Sequence, residues 1–133
     1  MSGFEHRLRV RYGECDPQGI VFNANYLLYC DVAVTELWRE AVGSWDAMAA
    51  RGVDVLLGEV TVRFRVPARF DDELALAVRV AQLGRTSIRL EIVMRRGEQT
   101  IAECALRQVC VDAESYAKVE LPPWLREGLA RFA

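Results

Sequence analysis

The stretch RYGECDPQGIVFNANYLLYCDVAVTELW, residues 11–38, joins a polar turn that contains an acid to a long apolar segment. Within it, Asp16-Pro17-Gln18-Gly19 has the composition of a β-turn, because proline presets φ at the second position and glycine suits the fourth. An aspartate at the first position can bond its own backbone. Asp16 is therefore either a structural turn residue or, as an acid placed just before a helix, a candidate for chemistry.

The segment from Tyr26 to Val42 is predicted to be a long helix. Its apolar residues nearly surround a helical wheel, which is typical of a helix that other elements enclose. Asn23 and Asn25 are residue types that favour the N-cap. About 18 residues at 1.5 Å each span roughly 27 Å, comparable to the diameter of a small domain. We expect this helix to lie at the centre of the fold.

Segments of alternating apolar and polar residues predict the strands around that helix. They are residues 4–12, 60–66, 74–80, 88–94 and 100–112. His6 falls in the apolar phase of the first segment. In the last segment the apolar residues change parity, and this change predicts a β-bulge near Arg107-Gln108.

Two short helices complete the expected elements: a turn of helix from Trp45 to Ala50, and a terminal helix that opens at Pro122-Pro123. Hairpin-length links between the last four strands make the sheet antiparallel, and the first strand joins it after the helix crosses one face. The fold class expected is α+β, a five-stranded antiparallel sheet wrapped around a long central helix, with a short C-terminal helix. Residues 1–133 are expected to form one domain.

Composition excludes several classes of function. The net charge of −2 argues against a nucleic-acid binder that relies on general positive charge. Apolar runs fall short of the roughly 18 residues of a membrane span, and no secretory signal is recognised at the start. Four cysteines without CxxC spacing and a single histidine do not suit a zinc site. We expect free thiols in a reducing cytoplasm.

Five stretches carry a resemblance to a known family. They are YGECDPQGIVFNANY at 12–26, TVRF with PARFDD at 61–72, GRTS at 84–87, VCVD at 109–112 and LPPW at 121–124. In this order they resemble the hotdog-fold acyl-CoA thioesterases, specifically the 4-hydroxybenzoyl-CoA thioesterase family. The resemblance covers nearly the whole chain, so it is more specific than any one motif.

The resemblance implies a site. Asp16 matches the family's catalytic carboxylate, acting as nucleophile or general base, and the backbone N–H of Asn23 matches the group that polarises the thioester oxygen. Many relatives carry His or Tyr at the position of Asn23, so we expect its side chain to affect acyl choice. The resemblance also implies substrate-binding roles for Gly19, Tyr26, Val60 and Thr61, and places Arg85, Thr86 and Ser87 near the phosphates of coenzyme A.

Further expectations follow from the family. Coenzyme A enters only as part of the substrate, and no metal or organic cofactor is needed. The chain is expected to form a homodimer or a homotetramer, as a dimer of dimers, with the site at the subunit interface. Two alternatives stay open: a thioesterase for acyl-carrier-protein substrates, and a non-catalytic protein that binds acyl-CoA. Aromatic and medium aliphatic acyl groups both remain possible.

Three other residues were candidates for chemistry. Cys15 lacks an activating base, so a buried or half-buried structural role is expected. Asp31 and Glu36 are acids within the apolar helix, and for these too a structural role is expected, Asp31 pairing with a backbone or arginine group.

Overall fold

One antiparallel sheet of five strands covers a long helix in this computed structural model, which describes residues 3–133. The strands are β1 (Phe4–Arg9), β2 (Val53–Phe64), β3 (Glu73–Leu83), β4 (Ser87–Arg96) and β5 (Gln99–Asp112). The helices are α1 (Asn25–Ala41), α2 (Trp45–Ala50) and α3 (Pro123–Ala130), and a 3-10 turn spans Tyr12–Glu14. The α+β arrangement predicted from the sequence, including the long central helix, is confirmed.

The strand order in the sheet is β1-β3-β4-β5-β2. Hairpins join β3 to β4 and β4 to β5, whereas β1 pairs with β3 and β2 pairs with β5. The two strands that flank α1 in the sequence, β1 and β2, are therefore the two edges of the sheet. The last residue of β1 and the last of β2 both lie at the end of the sheet where α1 begins.

Helix α1 packs its apolar face against the inward side chains of the sheet. Leu37 and Trp38 are completely buried, and Tyr29 is 2% exposed. The expectation of a helix enclosed on most sides holds only in part, because Leu27 and Leu28 remain 37% and 44% exposed. Five strands cover one side of α1 and leave the first turns open on the other. Within residues 3–133, no helix is long and apolar enough to cross a membrane.

Two strand boundaries differ from the sequence prediction. Strand β1 ends at Arg9 rather than Tyr12, because the chain turns into the 3-10 helix at Tyr12–Glu14. Strand β2 begins at Val53, seven residues before the predicted start at residue 60. The alternation of apolar and polar residues is lost over Leu56-Leu57-Gly58, so the sequence pattern did not predict this part of β2.

The sheet has the β-bulge predicted near Arg107-Gln108, but its placement in β5 is wrong. Even-numbered residues of β5 from Ala102 to Cys110 stay buried without a break. The irregularity lies in the facing strand, where Leu57 pairs with Gln108 and Glu59 with Arg107, so that Gly58 is the extra residue. The guanidinium of Arg107 lies over Gly58, 3.1 Å from where a Cβ would be. Val111 is buried out of phase at the end of β5, where residues 117–119 pair alongside the strand.

The close approach of α3 to the end of α1 depends on Gly128. A Cβ at this position would lie 2.5 Å from the carbonyl oxygen of Ala41 and 2.8 Å from Val42 Cγ1.

We predict that Gly128→Ala lowers the free energy of unfolding by about 1–3 kcal/mol, although alanine is otherwise the better helix former. Urea denaturation measures the change. Glu127→Ala, at an exposed position on the same helix, should change it by less than about 0.5 kcal/mol; equal effects of both variants would contradict the packing argument.

Candidate active site

A tight loop between the 3-10 turn and α1 holds Asp16. The Asp16 N–H donates to the Ile20 carbonyl at 2.9 Å, and the Gly19 N–H donates to the Asp16 carbonyl at 2.9 Å. Gly19 has φ +80°, in the left-handed region that favours glycine. The Gln18 N–H donates to Asp16 Oδ1 at 2.8 Å. One carboxylate oxygen of Asp16 therefore serves the turn, and Oδ2 accepts no hydrogen bond from residues 3–133.

The segment that follows β2 supports this loop from behind. The Val21 N–H donates to the Ala68 carbonyl at 2.8 Å, and Ile20 forms a bridge with Arg69. The Ala68 N–H in turn donates to the Tyr26 hydroxyl at 3.1 Å. Tyr26, on the first turn of α1, is 3% exposed. The loop is thus connected both to the core of the sheet and to the helix.

The start of α1 leaves two amides free within residues 3–133, those of Asn23 and Ala24. The Asn25 N–H donates to the Phe22 carbonyl at 2.9 Å and the Tyr26 N–H to the Asn23 carbonyl at 3.2 Å. Across residues 3–133, no acceptor is bonded to the N–H of Asn23. This N–H lies at the positive end of the α1 dipole, where developing negative charge is stabilised.

Neither asparagine caps α1 with its side chain. The N-cap is Ala24, which lacks a side-chain acceptor. The Asn25 side chain points back instead, and its Nδ2 donates to the Glu14 carbonyl at 2.8 Å. An asparagine at the first helical residue is too far along the chain to accept from the amides that a cap serves.

A cavity of about 230 Å³ opens beside Asn23, the one of the two residues with a free amide that lines it. Its lining residues are Ile20, Val21, Asn23, Tyr26, Phe64, Arg65, Val66 and Pro67. The rings of Tyr26 and Phe64 pack edge to face, with 5.2 Å between the ring centroids. Most of the wall is apolar, which suits an uncharged ligand group held next to the Asn23 N–H.

The sequence interpretation missed a buried carboxylate at Glu14, which is 8% exposed. Glu14 Oε1 accepts from the Arg11 N–H at 2.9 Å and from the Tyr29 hydroxyl at 2.8 Å. Glu14 Oε2 accepts from Arg11 Nε at 2.8 Å. The only sequence signal for this network is the spacing of three residues between Arg11 and Glu14, which allows an ion pair.

The pKa values of Glu14 and Tyr29 are shifted in opposite directions. Burial alone raises the pKa of Glu14, but its hydrogen bonds from the Arg11 backbone, from Tyr29 and from the Arg11 guanidinium outweigh burial and hold the pKa below its ordinary value of 4.5. Burial, together with the bond to Glu14, raises the pKa of Tyr29. The pair is therefore an ionised carboxylate that accepts from a neutral phenol.

The other predicted substrate-binding residues lie away from this loop. Val60 packs inward against the core of the sheet, and Thr61 is exposed on the opposite face of β2. Arg85, Thr86 and Ser87 lie in the β3–β4 hairpin, at the far end of strands that span roughly 30 Å. Within one copy of the chain, only Gly19 and Tyr26 accompany Asp16 and Asn23.

The three remaining candidates have ordinary surroundings. Cys15 is partly exposed, and its Sγ lies 3.9 Å from the Arg11 carbonyl. Glu36 pairs with Arg39 on the same helix. Asp31 is exposed, and no ion pair to it is present in residues 3–133, so the expected partner of Asp31 is not found.

Comparisons with known proteins agree with this architecture. The family model of the thioesterase-like superfamily matches residues 10–129. The acyl-CoA thioester hydrolase YbgC of Escherichia coli is 31% identical over 110 residues, 82% of each chain. The 1,4-dihydroxy-2-naphthoyl-CoA hydrolase of Nostoc punctiforme is 28% identical over 120 residues, 90% of this chain and 81% of its own. A crystal structure of a hypothetical protein from Aquifex aeolicus matches with a TM-score of 0.90 at 25% identity, covering 95% of this chain and 98% of that one.

The lowered pKa of Glu14 predicts a pH-dependent contribution to stability. Because the folded-state pKa lies below 4.5, this contribution is fully present above about pH 4.5 and is lost as the pH falls through the folded value. We expect Glu14→Gln to be less stable than wild type near neutral pH and the difference to shrink in acid. Urea denaturation from about pH 7 to about pH 3 measures it.

A matched control for this prediction is Ser44→Ala, which removes the cap bond from the Ala47 N–H without removing a titrating group. It should cost about 1 kcal/mol at every pH. A Glu14→Gln deficit that stays constant across the same range would show that the carboxylate charge is not involved.

Proposed function

Because this chain belongs to the thioesterase-like superfamily, we propose that it hydrolyses an acyl-CoA to a free acid and coenzyme A. The family and the enzyme class expected from the sequence, a hotdog-fold thioester hydrolase, are confirmed by that membership and by the acyl-CoA thioester hydrolase among its relatives. One observation carries the finer proposal. The Asp16 carboxylate and the free Asn23 N–H belong to one short, internally bonded loop, and the cavity opens at its Asn23 end.

The mechanism assigns one role to each group. The Asn23 N–H donates to the thioester oxygen and stabilises the negative charge that develops there. Asp16 acts as nucleophile, forming a mixed anhydride that water hydrolyses, or as a general base that takes a proton from the attacking water. In either route the C–S bond breaks and the thiolate of coenzyme A leaves and is protonated. The thioester is already activated, so no metal or organic cofactor is part of the proposal.

The cavity beside the loop is the proposed acyl site. Tyr26 and Phe64 form its aromatic wall, and Gly19 permits the turn that contains Asp16. At about 230 Å³ in a single copy, it accommodates a ring or a short aliphatic chain.

The proposed assembly is a homodimer, or a dimer of dimers, joined through strand β2. This strand is an edge of the sheet and exposes Leu56, Leu57 and Phe64, which are 40%, 43% and 55% exposed. An edge of this kind is a template for pairing with another strand. Two β2 strands paired about a two-fold axis run antiparallel, so the hairpin of the partner copy lies at the same end of the joined sheet as the loop of this one. Arg85, Thr86 and Ser87 would then bind the phosphates of coenzyme A across the interface.

The proposed location is the cytoplasm. All four cysteines are free thiols, and Cys30, Cys104 and Cys110 are buried within the core. Unpaired thiols of this kind are typical of a reducing compartment.

Asp16→Asn should reduce turnover of acyl-CoA by about 10²–10⁴-fold, because the amide neither attacks the carbonyl nor accepts the proton of water. Steady-state release of the thiol from short, long and aromatic acyl-CoAs measures it. Asp46→Asn, an exposed acid on α2, is the control and should retain the activity of wild type. Full turnover by Asp16→Asn would refute the mechanism.

The same panel distinguishes the alternatives. If the protein hydrolyses an acyl-carrier-protein thioester but no CoA ester, its substrate class is the acyl-carrier proteins and not the acyl-CoAs. Tight binding of acyl-CoA without turnover by wild type would replace hydrolysis with a binding role.

The shared site predicts complementation between two impaired variants. Asp16→Asn lacks the carboxylate and Arg85→Glu repels the phosphates, yet a mixed dimer contains one site with both native residues. After the two proteins are unfolded and refolded together, we expect about a quarter of wild-type activity, since half the dimers are mixed and each has one intact site. Activity no higher than the average of the two separate variants would contradict a site built from two copies.

A further inference from the structure

Glu14 lies two residues before Asp16, and its carboxylate is buried although it belongs to a surface loop. Burying a charged carboxylate is unfavourable unless its oxygens are bonded. Here Arg11 and Tyr29 supply those bonds, at 2.6–2.9 Å. The carboxylate thus joins the 3-10 turn to the second turn of α1.

The main chain of Glu14 makes a second set of bonds. Its carbonyl oxygen accepts from the Phe22 N–H at 2.9 Å and from Asn25 Nδ2 at 2.8 Å. Phe22 directly precedes Asn23, and Glu14 lies two residues before Asp16. Both ends of the segment that contains the two proposed catalytic groups are therefore attached to this one residue.

The Glu14 side chain borders open space as well as its hydrogen-bond partners. A cavity of about 260 Å³ lies beside the network. Its lining residues are Leu8, Arg9, Arg11, Glu14, Leu28, Tyr29 and Val32. Because this space is not filled by other side chains, we expect loss of the carboxylate bonds to let the 3-10 turn move.

We propose that Glu14 is a positioning residue of the thioesterase site: together with Tyr29 and Asn25 it holds the loop so that the Asp16 carboxylate and the Asn23 amide reach the same carbonyl group. This inference rests on the proposed function. Glu14 touches neither reacting atom, and it acts by fixing the main chain on both sides of the loop. A displacement of about 1 Å between such groups reduces turnover by about 10²-fold.

Three variants separate this role from a merely structural one. Glu14→Ala removes all the side-chain bonds, whereas Glu14→Gln keeps an oxygen that accepts from the Arg11 N–H and from Tyr29. Tyr29→Phe removes a single hydroxyl from the same network. The matched control is Glu40→Gln, which changes an exposed acid at the other end of α1.

Positioning predicts a specific kinetic pattern. For Glu14→Ala, kcat should fall about 100-fold and KM should change by less than about 3-fold, because the affected interactions are made in the transition state. Glu14→Gln should recover most of that loss, and Tyr29→Phe should lower kcat by about 10-fold. Rates are expressed per folded molecule, with the folded fraction measured by circular dichroism. Wild-type kcat for folded Glu14→Ala, with only a lower melting temperature, would overturn the proposal.

Amide hydrogen exchange tests the positioning without relying on turnover. Peptides that cover residues 15–23 should exchange faster in Glu14→Ala than in wild type and in Glu40→Gln, whereas peptides from β4 should be unchanged. Unchanged exchange over residues 15–23 would refute the role of Glu14. If wild type hydrolyses no thioester, the proposed function fails, and the exchange data still decide whether Glu14 positions this loop.

Discussion

The hydrogen bond from the Phe22 N–H to the Glu14 carbonyl, 2.9 Å long, attaches the main chain to the 3-10 turn just before the free amides at the start of α1. Helix geometry leaves the first N–H groups without partners inside the helix. In this loop the Phe22 N–H has its acceptor in Glu14, whereas the next two amides, those of Asn23 and Ala24, have none among the described residues. The chemistry proposed for the protein depends on the first of these, because Asn23 lines the cavity beside the loop.

The same loop buries the carboxylate of Glu14, which is electrostatically unfavourable without partners. A carboxylate buried close to a helix N-terminus needs strong partners, and Arg11 and Tyr29 provide them. The pKa of Glu14 is lowered as a result, so the network stays charged and bonded at neutral pH. Within residues 3–133 the carboxylate of Asp16 accepts one bond, from the Gln18 N–H, which leaves its second oxygen available.

Much of the fold could be predicted from the sequence, because periodicity reports burial directly. Alternation identified β3 and β4, and the apolar wheel identified α1. Prediction failed where burial follows from pairing between distant segments. The change of apolar parity in β5 indicated a bulge at Arg107-Gln108, whereas the bulged residue is Gly58 in the strand that pairs with it. Asp16 and Asn23 could be named from the resemblance. Glu14 could not, because neither its burial nor its bond to Tyr29, fifteen residues away, leaves a periodic signal.

A single copy of the chain does not bring all the proposed site residues together. The loop, the free amide and the acyl cavity lie at one end of the sheet, and the arginine and hydroxyl residues expected to bind phosphate lie at the other. The exposed apolar edge of β2 offers a way to bring opposite ends together. In the proposed mechanism, assembly through β2 would complete substrate binding, while short-range bonds within residues 11–26 hold the two proposed reacting groups.

The most direct test of this account is a crystal structure with an acyl-CoA analogue in which a methylene group replaces the thioester sulfur and the carbonyl is kept. We expect the carbonyl oxygen to lie about 3 Å from the Asn23 nitrogen, with an Asp16 oxygen within about 3.5 Å of the carbonyl carbon or joined to it through one water. A carbonyl oxygen bound by another donor, with the Asn23 N–H facing solvent, would contradict the central claim.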